Sequence, residues 1–194
     1  MSQFPDPESM YAIVETPPPP GRRVARAPRF LWREVLLTLM PAFIGAILFV
    51  HFIAQSSVVY GSSMEPGLHT GQRLLVEKVT PHLHLPARGE IVIIHVDGYD
   101  VPLIKRVIGL PGDTIKVRAN QLFVNGEQVQ EPYLAQSWQQ SFGPLQVPPD
   151  HIFVLGDNRG VSNDSRYFGP IPIRDIMGHA WVSYWPLPDL GPVK

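Results

Sequence analysis

The feature that most limits what this chain can become is a run of twenty residues without a formal charge, VLLTLMPAFIGAILFVHFIA from Val35 to Ala54. It stands directly behind Arg22, Arg23, Arg26, Arg29 and Arg33. As a helix rising 1.5 Å per residue, such a run covers about 30 Å, the thickness of a bilayer's hydrocarbon core. A buried core helix is the competing reading, but an unpatterned apolar run of this length beside an arginine cluster favours a span. Phe30 and Trp32 suit the interface, and Pro41 and Gly45 are better tolerated in lipid than in water. The run is longer than the h-region of a cleaved signal, and Ala54-Gln55-Ser56 is a poor cleavage site, so the segment reads as an uncleaved anchor over residues 31–56. The first basic residue beyond it is Arg73, which puts residues 1–30 in the cytoplasm and everything after the anchor outside.

On either side the character changes. Residues 1–30 hold Pro5, Pro7, Pro17 to Pro20 and Pro28 with little periodicity, and they read as a disordered, proline-rich tail. Residues 57–194 carry short β-type runs separated by Gly, Pro and Asn: Arg73 to Val79, Glu90 to Val96, Leu103 to Ile108, Thr114 to Arg118, Gln121 to Val124, Ile152 to Leu155 and Ile176 to Trp185. Asn125-Gly126 marks a two-residue hairpin, and Leu110 to Asp113 a turn. Pro132 to Asp150 reads as a long loop. No amphipathic helix falls between the runs, so the expected fold is mainly β, a partly closed antiparallel barrel or pair of packed sheets preceded by one transmembrane helix. The 22 prolines and 16 glycines argue against a helical bundle.

Charge and cysteine content narrow the chemistry. Sixteen basic and 17 acidic residues leave a formal charge of -1, without the field that nucleic-acid binding requires. With no cysteine, thiolate nucleophiles, disulfides and Cys-ligated metals are excluded. His82-x-His84 sits beside prolines in what reads as a loop, no HExxH is present, and no metal or cofactor is expected. Chemistry then rests on Ser, Lys, His and carboxylates. Three segments offer it. Gly61-Ser62-Ser63-Met64-Glu65-Pro66 follows the anchor closely, although two serines after a glycine are by themselves an ordinary polar turn. In Val101 to Gly109, Lys105 interrupts a strand. Alternation sets Leu103, Lys105 and Val107 on one face and Ile104, Arg106 and Ile108 on the other, so one of the two cations faces the interior. The bland alternative is an edge-strand lysine that discourages aggregation. Gly156 to Arg166 is dense in turn formers and hydrogen-bonding groups; its Arg159 and Arg166 oppose a bound calcium, and it suits a scaffold under a site.

Together these segments resemble the type I signal peptidases, membrane-anchored serine endopeptidases with a Ser-Lys dyad. Ser63-Met64-Glu65-Pro66 is similar to the family's nucleophile motif, Lys105 to Asp113 to its lysine motif, and Gly156-Asp157-Asn158-Arg159 with Ser162 to Arg166 to its third box. The resemblance covers about residues 31–185. Two departures stand out: Gly67 replaces the usual threonine after the proline, and Gly61 stands where some members carry an oxyanion-stabilising serine.

The resemblance implies that Ser63 is the nucleophile and a neutral Lys105 its base. Lowering a lysine pKa from about 10.4 to about 8 by burial costs roughly 3 kcal/mol of differential solvation. It further implies that Ser162 hydrogen-bonds and orients the Lys105 amine, that Asp164 and Arg166 brace the box as an ion pair, and that Arg106 and Asp157 join that support. The Ser63 N–H would serve the oxyanion. Substrates would be preproteins, pairing as an extra strand with the segments before Ser63 and Lys105 and placing small side chains against Val59, Gly61, Met64, Leu68, Leu103 and Ile104. Cleavage would follow Ala-x-Ala-like sites at the outer face of the cell membrane, with the lipid bilayer as the other partner. Self-cleaving Ser-Lys repressors are a rival, but they need a DNA-binding domain where this chain has a proline-rich tail. An inactive anchored β-domain that binds secreted partners is the non-enzymatic alternative.

Overall fold

The structure is a computed structural model that describes residues 29–52, 54–134 and 140–193, without the side chains of residues 29–31, 48–52, 81 and 82. Residues 1–28, most of the expected proline-rich tail, lie outside the described residues. The chain divides into two units, Met1–Pro41 and Ala42–Lys194.

Arg29–Phe52 forms one helix, α1, with Pro41 inside it. The Thr38 hydroxyl donates to the Glu34 carbonyl at 2.8 Å, so the helix satisfies this polar group itself. The described side chains, residues 32–47, span about 24 Å of rise. Their apolar surface is uncovered, with Leu36 55% and Phe43 66% exposed. Among the described residues no helix is long and apolar enough to cross a membrane. The expected anchor boundary needs correction: the helix stops at Phe52, and Ala54, the last residue of the apolar run, opens a strand. Hydropathy carries no mark of that change, because the tail of an apolar run suits a helix and a strand equally.

The β part contains β1 (Ala54–Val58), β2 (Arg73–Glu77), β3 (Ile91–Ile94), β4 (Leu103–Gly109), β5 (Thr114–Arg118), β6 (Gln121–Val124), β7 (Glu127–Val129), β8 (Phe142–Gln146), β9 (His151–Leu155), β10 (Ile171–Pro172), β11 (Ile176–Trp185) and β12 (Gly191–Pro192). Two single-turn helices join them, α2 (Thr80–Leu83), which takes in His82, and α3 (Ser165–Phe168). The larger sheet runs β1-β2-β11-β3-β4-β9-β10, with β12 added to β11, and the smaller runs β7-β6-β5-β8. The strand pairs are antiparallel, as expected. Asn125 and Gly126 take φ of 54° and 87° and close the β6–β7 hairpin at the Val124–Glu127 pair, the two positive φ values that a type I′ turn demands.

The expected loop from Pro132 to Asp150 is only partly a loop. Its Phe142–Gln146 segment is β8, paired to β5 through Leu145 opposite Ile115. Pro144 hid this strand, since proline argues against a central position, and β8 is the terminal strand of its sheet, where a missing N–H is tolerated.

The interior has three apolar clusters. Ile108, Phe153 and Leu155 join the sheets by packing against Ile115, Val117, Leu122 and Val124 of the smaller one. Val59, Met64 and Leu68 pack with Leu74, Val76, Ile91 and Ile93. Val92, Val107, Val154 and Ile176 fill the third. β4 lies where these clusters meet, which decides the fate of its two cations.

Candidate active site

Past β1, pairing continues through Val59 N–H to the Gln72 carbonyl and Gly71 N–H to the Val59 carbonyl, both 2.9 Å. The chain then leaves the sheet at Gly61, whose φ of 82° a side chain tolerates poorly, and whose carbonyl accepts the Thr70 hydroxyl at 2.9 Å. Glu65 N–H closes a turn on the Ser62 carbonyl at 3.2 Å, and Leu68 N–H closes the next on Met64 at 2.9 Å. Met64 is 1% exposed and plugs the turn into the core beneath it. The two serines are thereby separated: Ser62 is exposed and Ser63 is half-buried.

Lys105 lies inside β4, opposite Val92 of β3, and β4 is also paired to β9 on its other side. The β9 pairing begins at Arg106, so β4 is an interior strand of its sheet and Lys105 stands beside the start of that pairing. The residue is 2% exposed, and its amine is 2.8 Å from the Ser63 hydroxyl. Burial drives its pKa from the ordinary 10.5 to about 8; the Asp164 and Asp157 carboxylates resist this, and Arg166 assists it. An ammonium donates to the serine oxygen, whereas the neutral amine accepts from the serine O–H. Near pH 8 both forms are populated, so the pair can remove the serine proton during attack.

Arg106 is also 2% exposed, so both neighbouring cations are buried where alternation predicts that one of them faces the interior. Both faces of β4 are covered. The Arg106 guanidinium donates from Nε and Nη2 to the Asp157 carboxylate at 2.8 and 2.6 Å, and from Nη1 to the Gly89 carbonyl at 2.8 Å. The Tyr133 ring stacks on it with the guanidinium carbon 4.0 Å from the ring centroid.

The segment after β9 is held as densely as its composition suggested. Gly156 N–H donates to Asp164 Oδ2 at 3.0 Å, and Asn158 N–H donates to the Ser63 carbonyl at 3.0 Å. Arg166 grips Asp164 from Nε and Nη2, each 2.8 Å, with both side chains at 0% exposure. Its Nη2 also reaches the Arg159 carbonyl at 2.8 Å. A Cβ on Gly156 would lie 2.2 Å from Ser162 Oγ and 2.5 Å from the Ser63 carbonyl oxygen, so only glycine fits between the two serines.

Two expected roles need correction. Ser162 Oγ is buried without a hydrogen-bond partner among the described residues, so the expected bond to the Lys105 amine is not formed. Its hydroxyl is packed against Gly156 instead. Leu68 does not line the groove beside Ser63. At 3% exposure it is spent in the core under the turn. That groove, about 380 Å³, is lined by Val59, Gly61, Met64, Leu103 and Ile104, together with Ser63, Lys105, Tyr60 and residues 55–58 of β1.

Sequence reasoning missed Glu131 and Tyr133 and assigned Arg159 no role. Arg159 donates from Nη1 to Glu131 at 3.1 Å and from Nη2 to its other oxygen, and from Nε to the Gly156 carbonyl at 2.9 Å. The Tyr133 hydroxyl donates to Glu131 at 2.7 Å, and burial followed by the Glu131 charge pushes its pKa up. No local pattern reports such partners, because Glu131 and Arg159 are 28 positions apart.

The model of the family described as signal peptidase, peptidase S26, matches residues 32–185. The probable signal peptidase I-2 of Synechocystis sp. is 39% identical over 170 residues, covering 84% of this chain and 78% of that protein. Signal peptidase I of Leptolyngbya laminosa is 38% identical over 148 residues, covering 72% of this chain and 73% of its own length. Signal peptidase I T of Bacillus subtilis (strain 168) is 37% identical over 160 residues, covering 77% and 83%. A family match that spans the Ser63 turn, β4 and the 156–166 segment in one piece, with relatives of this similarity along most of their length, means that the chain belongs to the signal peptidase family, peptidase S26, and is a serine endopeptidase.

Proposed function

We propose that the chain removes signal peptides from exported preproteins with Ser63 as nucleophile and Lys105 as general base. The observation that carries this is the 2.8 Å approach of a 2%-exposed lysine amine to a serine hydroxyl in a turn. In the first step the neutral amine takes the Ser63 proton while Oγ attacks the scissile carbonyl, forming a tetrahedral adduct. The ammonium then returns the proton to the departing amine, leaving an acyl-enzyme that water hydrolyses with Lys105 again as base. The Ser63 N–H would donate to the oxyanion, a donor worth about 3 kcal/mol in comparable acyl-transfer sites. Arg106–Asp157 and Arg166–Asp164 hold the surrounding backbone.

Two further features support the substrate assignment. β1 is the terminal strand of its sheet and lines the groove, so an extended peptide has a strand edge to join. The groove wall of Val59, Met64, Leu103 and Ile104 beside Ser63 is apolar, which suits small apolar side chains at the residues before the cut. The uncovered apolar side chains of α1 support this helix, Arg29–Phe52, as a single anchor. Five arginines before it support a cytoplasmic N-terminus and a β-domain on the outer face. Incubating the purified protein with a preprotein and mapping the cut by mass spectrometry tests the reading. A cut after a small residue at the end of the signal peptide, lost in Ser63→Ala, supports it, and equal cleavage by Ser63→Ala refutes it.

A further inference from the structure

Two residues outside the three segments that the sequence offers for chemistry touch the supports of Ser63 and Lys105 from one side. Glu131 and Tyr133 are two positions apart, and each holds a different arginine. The Glu131 carboxylate pairs with Arg159, the side chains being 6% and 1% exposed. Arg159 in turn holds the Gly156 carbonyl, and its neighbour Asn158 holds the Ser63 carbonyl. The Tyr133 ring covers the Arg106 guanidinium, which grips Asp157 in the same turn and follows Lys105 directly in β4. The Tyr133 hydroxyl to Glu131 bond ties the two arms together.

We propose that Glu131 and Tyr133 are positioning residues that clamp the 156–159 turn to β4 and so set the approach of Ser63 to Lys105. The proposal rests on the reading of Ser63 and Lys105 given above. Neither residue lines the groove, so neither contributes to substrate binding. A nucleophile and its base lose rate steeply with small displacements, so loosening the clamp lowers turnover and leaves affinity alone. It also moves the titration of the base. The charges bearing on Lys105 are Asp164, Asp157 and Arg166. When Arg106 is unseated, the Asp157 carboxylate is less neutralised and favours the ammonium, which shifts the rising limb of the pH profile upward.

The test compares wild type, Ser63→Ala, Glu131→Gln, Tyr133→Phe and Tyr133→Leu, full-length in detergent, on a short peptide with Ala at the -1 and -3 positions. Turnover is expressed per folded enzyme, with the folded fraction read by circular dichroism. The expected result is a kcat about tenfold lower for Glu131→Gln and Tyr133→Leu, KM within about twofold, and a limb moved to higher pH. Tyr133→Phe keeps the ring over Arg106 and should stay within about threefold of wild type. A merely structural role would lower the folded fraction and leave kcat, KM and the limb in place for the enzyme that remains; that outcome overturns the proposal. So does a raised KM at unchanged kcat. If Glu131→Gln does not fold, the contrast between Tyr133→Phe and Tyr133→Leu decides, and equal activity of the two refutes the clamp. Activity in Ser63→Ala would overturn the dyad itself, whereas an inactive Ser63→Ala beside fully active Glu131 and Tyr133 variants overturns only the clamp.

Discussion

Replacing Lys105 by Met should abolish activity and stabilise the fold below pH 8. Lys105 is 2% exposed and its pKa falls from 10.5 to about 8 on burial. A shift of about 2.5 units, at 1.36 kcal/mol per unit, corresponds to about 3 kcal/mol. The direction follows from proton counts. The folded protein binds this proton less tightly than the unfolded chain, so between pH 8 and 10.5 the unfolded state carries more protons and stability rises with pH. Below pH 8 folding must bury an ammonium or strip its proton, and the penalty approaches its full value. Above pH 10.5 the amine is neutral in both states and the penalty is gone. Met has a similar length and no charge, so it keeps the packing, but it gives up the hydrogen bond to Ser63, worth about 1 kcal/mol. The variant should therefore be about 2 kcal/mol more stable at pH 6, a rise of roughly 4–8 °C in Tm for a chain of this size. The gap should close and reverse slightly toward pH 11. Urea unfolding of both proteins at pH 6, 8 and 10 measures this. A stability difference that is the same at all three pH values, or a wild type that is the more stable at pH 6, would refute the argument that burial of the ammonium sets the lysine pKa.

Other substitutions probe the site separately. Ser63→Ala should abolish preprotein processing with little change in Tm, while Ser62→Ala, at an exposed position, should process normally; the reverse outcome would move the nucleophile by one residue. Wild-type kcat/KM should rise with pH along a limb near 8 and Lys105→Arg should be inactive at every pH, because a guanidinium does not deprotonate; a flat profile from pH 6 to 10 would count against the neutral-amine base. Gly156→Ala places a methyl 2.5 Å from the Ser63 carbonyl oxygen and 2.2 Å from Ser162 Oγ, so it should cost about 2 kcal/mol of stability and most of the activity, and wild-type values for both would show that the turn yields. On the proposed anchoring through α1, removing residues 1–53 should spare cleavage of short peptides and reduce cleavage of preproteins in liposomes, because an anchor raises effective concentration. Removing residues 1–56 also takes Ala54, Gln55 and Ser56 out of β1 and should lower Tm; equal stability of the two truncations would show that β1 contributes nothing.

Some of this protein is written in short stretches of chain. Asn125-Gly126 specified its hairpin because the positive φ values of a tight turn are a property of two residues and their neighbours. The strand Thr114–Arg118 is equally legible, since its apolar positions Ile115 and Val117 alternate with the pleat, and Gln121–Val124 is a short apolar run bounded by the Asn125-Gly126 turn. The order Ser63, Lys105, then the 156–166 segment is enough to indicate the family. What alternation could not decide was whether Lys105 stood on an edge or in the middle of a sheet. That depended on β9, some fifty residues further along, pairing to the other side of β4. Burial, and with it a pKa near 8, is a property of what surrounds the amine, and those neighbours come from distant parts of the chain. Glu131 and Tyr133 were silent for the same cause. An ion pair across 28 positions and a ring stacked on Arg106 leave no periodic trace, because neither contact constrains the residues next to it. Ser162 shows the limit of reading roles from a motif: the chain order brings it beside Gly156, yet the direction of its hydroxyl is set by packing, and there it makes no bond to Lys105.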